Sequence, residues 1–206
     1  TDTNPVHGVE KVPEEARHRY LSDDEIQRLL KVLDTRSGER SADIVRLLLL
    51  TGARSGEVLG ATWDQFNLET GVWTKPAAFT KQKRMHRVPL SRDALAIVQR
   101  LREAEDTRIV EAKTKGMIIP PEPHLFPGSG QGGVQTTLRR FWETICKTAG
   151  IKGCRIHDLR HSFASILASQ GASLPIIGQM LGHTQAATTQ RYAHLLDAPL
   201  REAARL

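Results

Sequence analysis

Arg54, His157, Arg160, His183 and Tyr192 follow one another in an order suited to phosphoryl transfer. They stand in four short segments: Thr-Gly-Ala-Arg-Ser-Gly-Glu (51–57), His-Asp-Leu-Arg-His-Ser-Phe-Ala (157–164), Leu-Gly-His-Thr (181–184) and Gln-Arg-Tyr-Ala-His (190–194). Two guanidiniums, from Arg54 and Arg160, can clamp one phosphate through paired N–H donors. Two imidazoles, from His157 and His183, can donate or shuttle protons. A tyrosine near the C-terminal end can be the nucleophile. Its phenol has an ordinary pKa of about 10, so it needs help to lose its proton.

Each element has a plainer meaning when read alone. Arg54 and Glu57 are three apart and suit a surface ion pair on one helical turn. Lys81, Lys83, Arg84 and Arg87 crowd Phe-Thr-Lys-Gln-Lys-Arg-Met-His-Arg-Val-Pro-Leu (79–90), which reads as a solvated basic turn. His183 follows Gly182 at a turn, where a histidine is usually structural. Tyr192 sits on an expected late amphipathic helix, where a tyrosine usually packs. His157 and His161, four apart with Asp158 between them, imitate a zinc-binding pair. Asp158 is shorter than the glutamate that pattern needs, and Arg160 would set a cation beside the metal. No metal site is expected.

The set as a whole resembles the catalytic domain of tyrosine recombinases, the phage integrase family. The resemblance rests on Arg54, on His157-x-x-Arg160 with its continuation Ser162-Phe163-Ala164, on Leu181-Gly182-His183, and on Tyr192 nine residues later. It implies a site-specific recombinase that cleaves and rejoins DNA through a 3′-phosphotyrosyl link. Arg54, Lys81, His157, Arg160, His183 and Tyr192 would be catalytic, and Glu57 would support the site. Lys81 is the best match to the family lysine, with Lys83 as its rival. Lys83, Arg84 and Arg87 are expected on the DNA backbone. No cofactor, ATP or divalent ion is implied, since arginine and lysine charges replace those of a metal. Double-stranded DNA is the expected partner, with assembly of the full-length protein as a tetramer on it.

These residues need a frame. Ser22 with Glu25 forms a capping box ahead of Ile26, Leu29, Leu30 and Leu33 at helical spacing. A second helix is expected over about 41–51, ending near Gly52, and a short turn over 55–60. Gly71–Thr74, Ala78–Lys81 and His86–Leu90 look extended, predicting a two- to three-stranded antiparallel sheet. Ser91 caps a long helix through about 110. Breakers from Gly116 to Gly133 mark a loop. Helices are expected near 134–148, 157–170, 174–181, 185–193 and 197–205. The fold class is therefore mostly α (α+β), a helical domain with a small sheet. Residues 1–20 read as a linker from a missing N-terminal DNA-binding domain, and 21–206 as the catalytic domain. The chain opens at Thr1 without an initiator methionine, consistent with a piece of a longer protein.

Composition agrees. The chain has 206 residues, 29 of them basic against 23 acidic, for a formal charge of +6, and a pI of about 9.6. A basic domain is drawn to polyanions, nucleic acid first among them. Cys146 and Cys154 suit neither a disulfide framework nor a metal spacing, which fits a reducing cytoplasm; the family resemblance implies a bacterial or phage-encoded protein. The apolar run Ile44–Leu50 is broken by Arg46 and falls far short of the about 20 residues that span a bilayer. Three rival readings differ in chemistry. A type IB topoisomerase would relax DNA without exchanging partners, a decayed DNA-binding module would not cleave, and a zinc hydrolase would hold metal.

Overall fold

A computed structural model describes residues 19–80, 83–128, 133, 135 and 137–196. The expected linker up to residue 18, Lys81 and the expected helix at 197–205 lie outside the described residues. Eight α-helices appear among those described: α1 (Asp23–Asp34), α2 (Arg40–Thr51), α3 (Ser55–Leu59), α4 (Arg92–Thr114), α5 (Arg139–Thr148), α6 (Asp158–Ser169), α7 (Leu174–Leu181) and α8 (Ala186–Gln190). Three strands, β1 (Phe66–Asn67), β2 (Val72–Lys75) and β3 (His86–Pro89), form one antiparallel sheet in the order β1-β2-β3.

The helix starts follow local chemistry. Ser22 accepts from the Glu25 N–H while Glu25 reaches back to the Ser22 N–H, so the expected capping box is present. Ser91 caps α4 by accepting from Ala94 N–H. α2 is the central helix. Its Ile44, Val45, Leu47, Leu48 and Leu49 are buried, and it packs against α1, α4 and α6. That explains its apolar character on nearly every face. The main core spans α1, α2, the sheet, α4 and α5. A smaller core gathers Phe163, Ala164, Ala168, Ile177, Leu181 and Tyr192 from α6, α7 and the chain after α8.

Three expectations need correction. The third strand is not Ala78–Lys81. Ala77–Phe79 is a turn of 3-10 helix, and the short β1 completes the sheet instead. Pro76 has no N–H to give the ladder, so pairing stops at Lys75, opposite His86. The helix expected from 134 begins at Arg139. Tyr192 lies on no helix: α8 ends at Gln190, and Tyr192 N–H bonds Thr189 O at 2.9 Å in a tighter turn. That turn leads into 3-10 helix at Ala193–Leu196.

Candidate active site

The seam between the two cores is held by one side chain. Arg160, in the first turn of α6 and 4% exposed, donates from Nη1 to Gly52 O and from Nη2 to Leu181 O, both at 2.7 Å. These carbonyls close α2 and α7, where helices leave acceptors without intrahelical partners. The negative ends of two helices thus face the guanidinium and favour its charge. The carbonyls belong to the segments that carry Arg54 and His183, so Arg160 fixes both segments relative to itself. Two of its five N–H donors are occupied in this way, and the other three meet no acceptor among the described residues. Burial, then the nearby Arg54, push its pKa down to about 10 against the pull of Glu57 and Tyr192.

Two glycines permit this closeness. Gly52 ends α2 at φ 60°, and a Cβ there would lie 2.4 Å from the Phe163 ring and 2.8 Å from Leu181. Gly182 ends α7 at φ 69°, and a Cβ there would meet the His86 ring at 2.7 Å. His86 Nε2 is 2.7 Å from Gln179 O, which ties β3 to α7.

Arg54 caps α3. Its Nη1 donates to Glu57 Oε1 at 2.7 Å, and its N–H bonds the other carboxylate oxygen. The pair expected from the sequence is in fact a triad. Lys75, at the end of β2 and 2% exposed, donates from Nζ to Glu57 Oε2 at 2.7 Å, and its ammonium also lies 4.3 Å from the Trp73 ring. Burial pushes the Glu57 carboxyl up. The charge and hydrogen bond of Lys75, with the side-chain and backbone hydrogen bonds from Arg54, outweigh burial and bring it to about 2. Burial lowers Lys75, and Glu57 recovers part of that loss. The carboxylate is shared by two cations, whereas the ammonium has given up its water for one anion. A signal for Lys75 was present: strand alternation that turns Trp73 inward turns Lys75 inward too.

His183 follows Gly182. Its Nδ1 is 2.9 Å from Thr189 Oγ1, and its ring is parallel to that of Tyr192, centroids 6.4 Å apart. Burial, then Arg160 and Arg54, bring its pKa to about 4, so the ring is neutral at pH 7. Tyr192 is 4% exposed, and burial raises its phenol. His157 stands at the N-cap of α6, with its pKa lowered by burial and then by Arg160. Its ring is edge-on to that of His161 at 5.4 Å. The side chain that reaches the Tyr192 hydroxyl is His161, with Nδ1 2.8 Å from Oη. In the sequence His161 reads only as half of an imitation zinc pair. Among the described residues no three His, Cys, Asp or Glu side chains converge as a metal site requires.

Beside this cluster opens a cavity of about 170 Å³ lined by Arg54, Arg84, His86, Gln179 and His183. Lys83, Arg84 and Arg87 are exposed on the hairpin. Thr80 pins its tip, donating to Arg84 O at 2.7 Å and accepting from Arg84 N–H at 3.1 Å. Lys83 adopts φ 51°, uncommon for a side chain other than glycine.

Comparison with known proteins follows the same lines. The model of the phage integrase family matches residues 19–198. Tyrosine recombinase XerD of Pseudomonas aeruginosa is 33% identical over 193 residues, covering 89% of this chain and 60% of its own. XerD of Pseudomonas putida is 31% identical over 190 residues with the same coverage. The chain therefore spans about 60% of the length of these curated relatives. Among solved structures, the catalytic domain of bacteriophage HP1 integrase superposes with a TM-score of 0.60 at 26% identity, covering 91% of this chain and 94% of that one.

Proposed function

The chain belongs to the phage integrase family, and from that premise we propose that it is the catalytic domain of a site-specific DNA recombinase, cutting and rejoining strands through a 3′-phosphotyrosyl link. The observation that carries the reading is the meeting of Arg54, Arg160, His183 and Tyr192 from four separate segments, close enough that Arg54 and Tyr192 both bear on the ionisation of Arg160.

Arg54 and Arg160 hold the two nonbridging oxygens of the scissile phosphate and neutralise charge as the transition state forms. His183, whose Nδ1 is occupied by the Thr189 hydroxyl, offers Nε2–H as a further donor. Tyr192 Oη attacks phosphorus, the P–O5′ bond breaks, and Lys81 protonates the leaving oxygen. His157 serves as acid–base assistant while Tyr192 gives up its proton. Glu57 orients Arg54. The phosphotyrosyl bond keeps the energy of the broken one, so rejoining needs no ATP, and three cationic side chains supply the charge a divalent ion would bring. Lys83, Arg84 and Arg87 lie along the DNA backbone. The substrate is double-stranded DNA in the bacterial cytoplasm, and the full-length protein, with a DNA-binding domain ahead of residue 21, acts as a tetramer. A structure of XerH bound to palindromic difH substrate supports the reading by fold alone, with a TM-score of 0.67 at 24% identity.

The test is covalent trapping. Full-length protein is mixed with nicked duplexes of random core sequence, and the members that become attached are recovered as substrate. An adduct that survives denaturation, persists in chelator and vanishes in Tyr192→Phe is expected. An adduct unchanged in Tyr192→Phe, or one requiring zinc, refutes the reading. Exchange between two such sites, as opposed to relaxation alone, separates a recombinase from a type IB topoisomerase.

A further inference from the structure

His161 has a geometry that the scheme above does not use. It lies one helical turn beyond His157 on α6, half-buried. Its Nδ1 is 2.8 Å from Tyr192 Oη, and the two rings are tilted at 51° with centroids 5.8 Å apart. Among the described residues this is the one hydrogen bond that Oη makes. Tyr192 cannot readily swing away, because its ring belongs to the small core with Phe163, Ile177 and Leu181. Its N–H is bonded to Thr189 O as well. The contact is therefore enforced from both sides, by a helix and by a packed ring.

Resting on the recombinase reading, we propose that His161 is the catalytic base for Tyr192. The Oη–H donates to Nδ1 of a ring protonated at Nε2. As the Oη–P bond forms, the O–H bond breaks and its proton passes to Nδ1, leaving an imidazolium. The P–O5′ bond breaks with its electron pair on the 5′ oxygen, which takes a proton from Lys81. Rejoining runs the same steps backward: the 5′-hydroxyl returns its proton to Lys81, and Oη leaves and recovers its own from His161. His157 is then free to act on the phosphate.

The surroundings fit the task. His157, Asp158 and Arg160 face His161 from its own helix, and Arg191 and Tyr192 from the chain after α8. His183 faces it from the turn after α7. Arg54, after α2, acts on the same cluster through His157 and His183. Burial, then His157, lower the His161 pKa to about 4 against Asp158, with Arg191 and Arg160 adding to the fall. The ring is thus a neutral acceptor at pH 7. Burial raises the Tyr192 phenol, which keeps its proton until an acceptor helps. A phosphodiester held by Arg54 and Arg160 offsets the cations that depress His161 and so favours the imidazolium the transfer creates.

The experiment follows single-turnover adduct formation by the full-length protein on the selected nicked duplexes, from acid to alkaline pH. His161→Gln is expected to lose on the order of a hundredfold in rate near neutrality, with DNA binding kept. The deficit should narrow as pH rises and hydroxide replaces the base. Incorporating 3-fluorotyrosine at Tyr192, a more acidic phenol, should restore much of the lost rate in His161→Gln. No deficit, or one equal at every pH and untouched by the fluorinated phenol, overturns the proposal while the recombinase reading stands. No adduct at Tyr192 in the unmodified protein overturns both. Imidazole nitrogen NMR of the unmodified protein decides the point even if the variant folds poorly. Nδ1 of His161 should be unprotonated and hydrogen-bonded at neutral pH, with that bond lost in Tyr192→Phe. A proton resident on Nδ1 overturns the proposal.

Discussion

Lys75 and Glu57, eighteen residues apart, meet as a buried ion pair with Nζ 2.7 Å from Oε2. The strand β2 is thereby coupled to Arg54, which grips the other oxygen of the same carboxylate. Glu57 is the shared anion, and removing either cation leaves it under-compensated in a site with little water. A buried charge that loses a partner typically costs about 3–5 kcal/mol.

Lys75→Met should therefore destabilise the protein by about 3 kcal/mol, at the low end of that range because Arg54 remains on Glu57. Adding Glu57→Gln should recover part of the stability, since no unpaired charge is left buried. It should not recover the cleavage rate, since Arg54 is no longer held by a carboxylate. Urea denaturation and adduct formation, measured on the same three proteins, report the two effects separately.

The same carboxylate sets an acid limit. Its folded pKa of about 2 lies below the ordinary value of 4.5. The unfolded chain therefore takes up a proton at higher pH than the folded one. The stability this contributes is fully present above about pH 4.5 and is lost as pH falls through about 2, up to about 3 kcal/mol for the one group. Denaturation midpoints across that window should fall in the native protein and change less in Glu57→Gln.

Arg160→Lys and Arg54→Lys should part company in stability though both lose cleavage. A lysine at 160 cannot hold Gly52 O and Leu181 O at once while also facing a phosphate. Loss of both stability and rate is expected there, the rate by on the order of a hundredfold or more. Arg54→Lys should lose rate to a similar degree with little change in stability, because a lysine at 54 keeps a second cation beside Glu57 while losing the planar fork. Thermal melts alongside adduct kinetics check this.

Gly52→Ala should cost about 3 kcal/mol, combining a left-handed backbone with a methyl forced against the Phe163 ring. Adduct formation should fall with it, because the carbonyl that anchors Arg160 moves. Wild-type stability and rate in the variant would contradict the packing seen at this seam.

Removing Lys83 or Arg84, exposed on the hairpin, should weaken DNA binding and lower the salt slope of log K by about 1 each. The rate from bound complex should be nearly unchanged. Binding isotherms at several salt concentrations distinguish these backbone contacts from Arg54 and Arg160.

Family and fold class were legible in the chain itself. Residue types and their order are covalent facts, and the spacing of Arg54, His157, Arg160, His183 and Tyr192 survives any uncertainty about packing. Local rules also reached α1, whose capping box involves Ser22 and Glu25, neighbours in sequence. They reached the end of α2 at Gly52, where a positive φ suits glycine. The two-residue β1 escaped them, because a segment that short has no alternation to read. So did the 3-10 turn at Ala77–Phe79, where extended-looking residues yield to the proline before them.

Only the tertiary structure decided which groups touch. The Arg160 partners are backbone carbonyls, which every residue carries and no sequence distinguishes. Lys75 had an inward strand parity, yet nothing local announced that Glu57 would lie opposite it. His157 and His161 sit one helical turn apart with the same side-chain chemistry. The choice between them as partner of Tyr192 depends on where the chain after α8 returns across α6. That return is set by the packing of Tyr192 against Phe163, Ile177 and Leu181, a contact among segments distant in sequence.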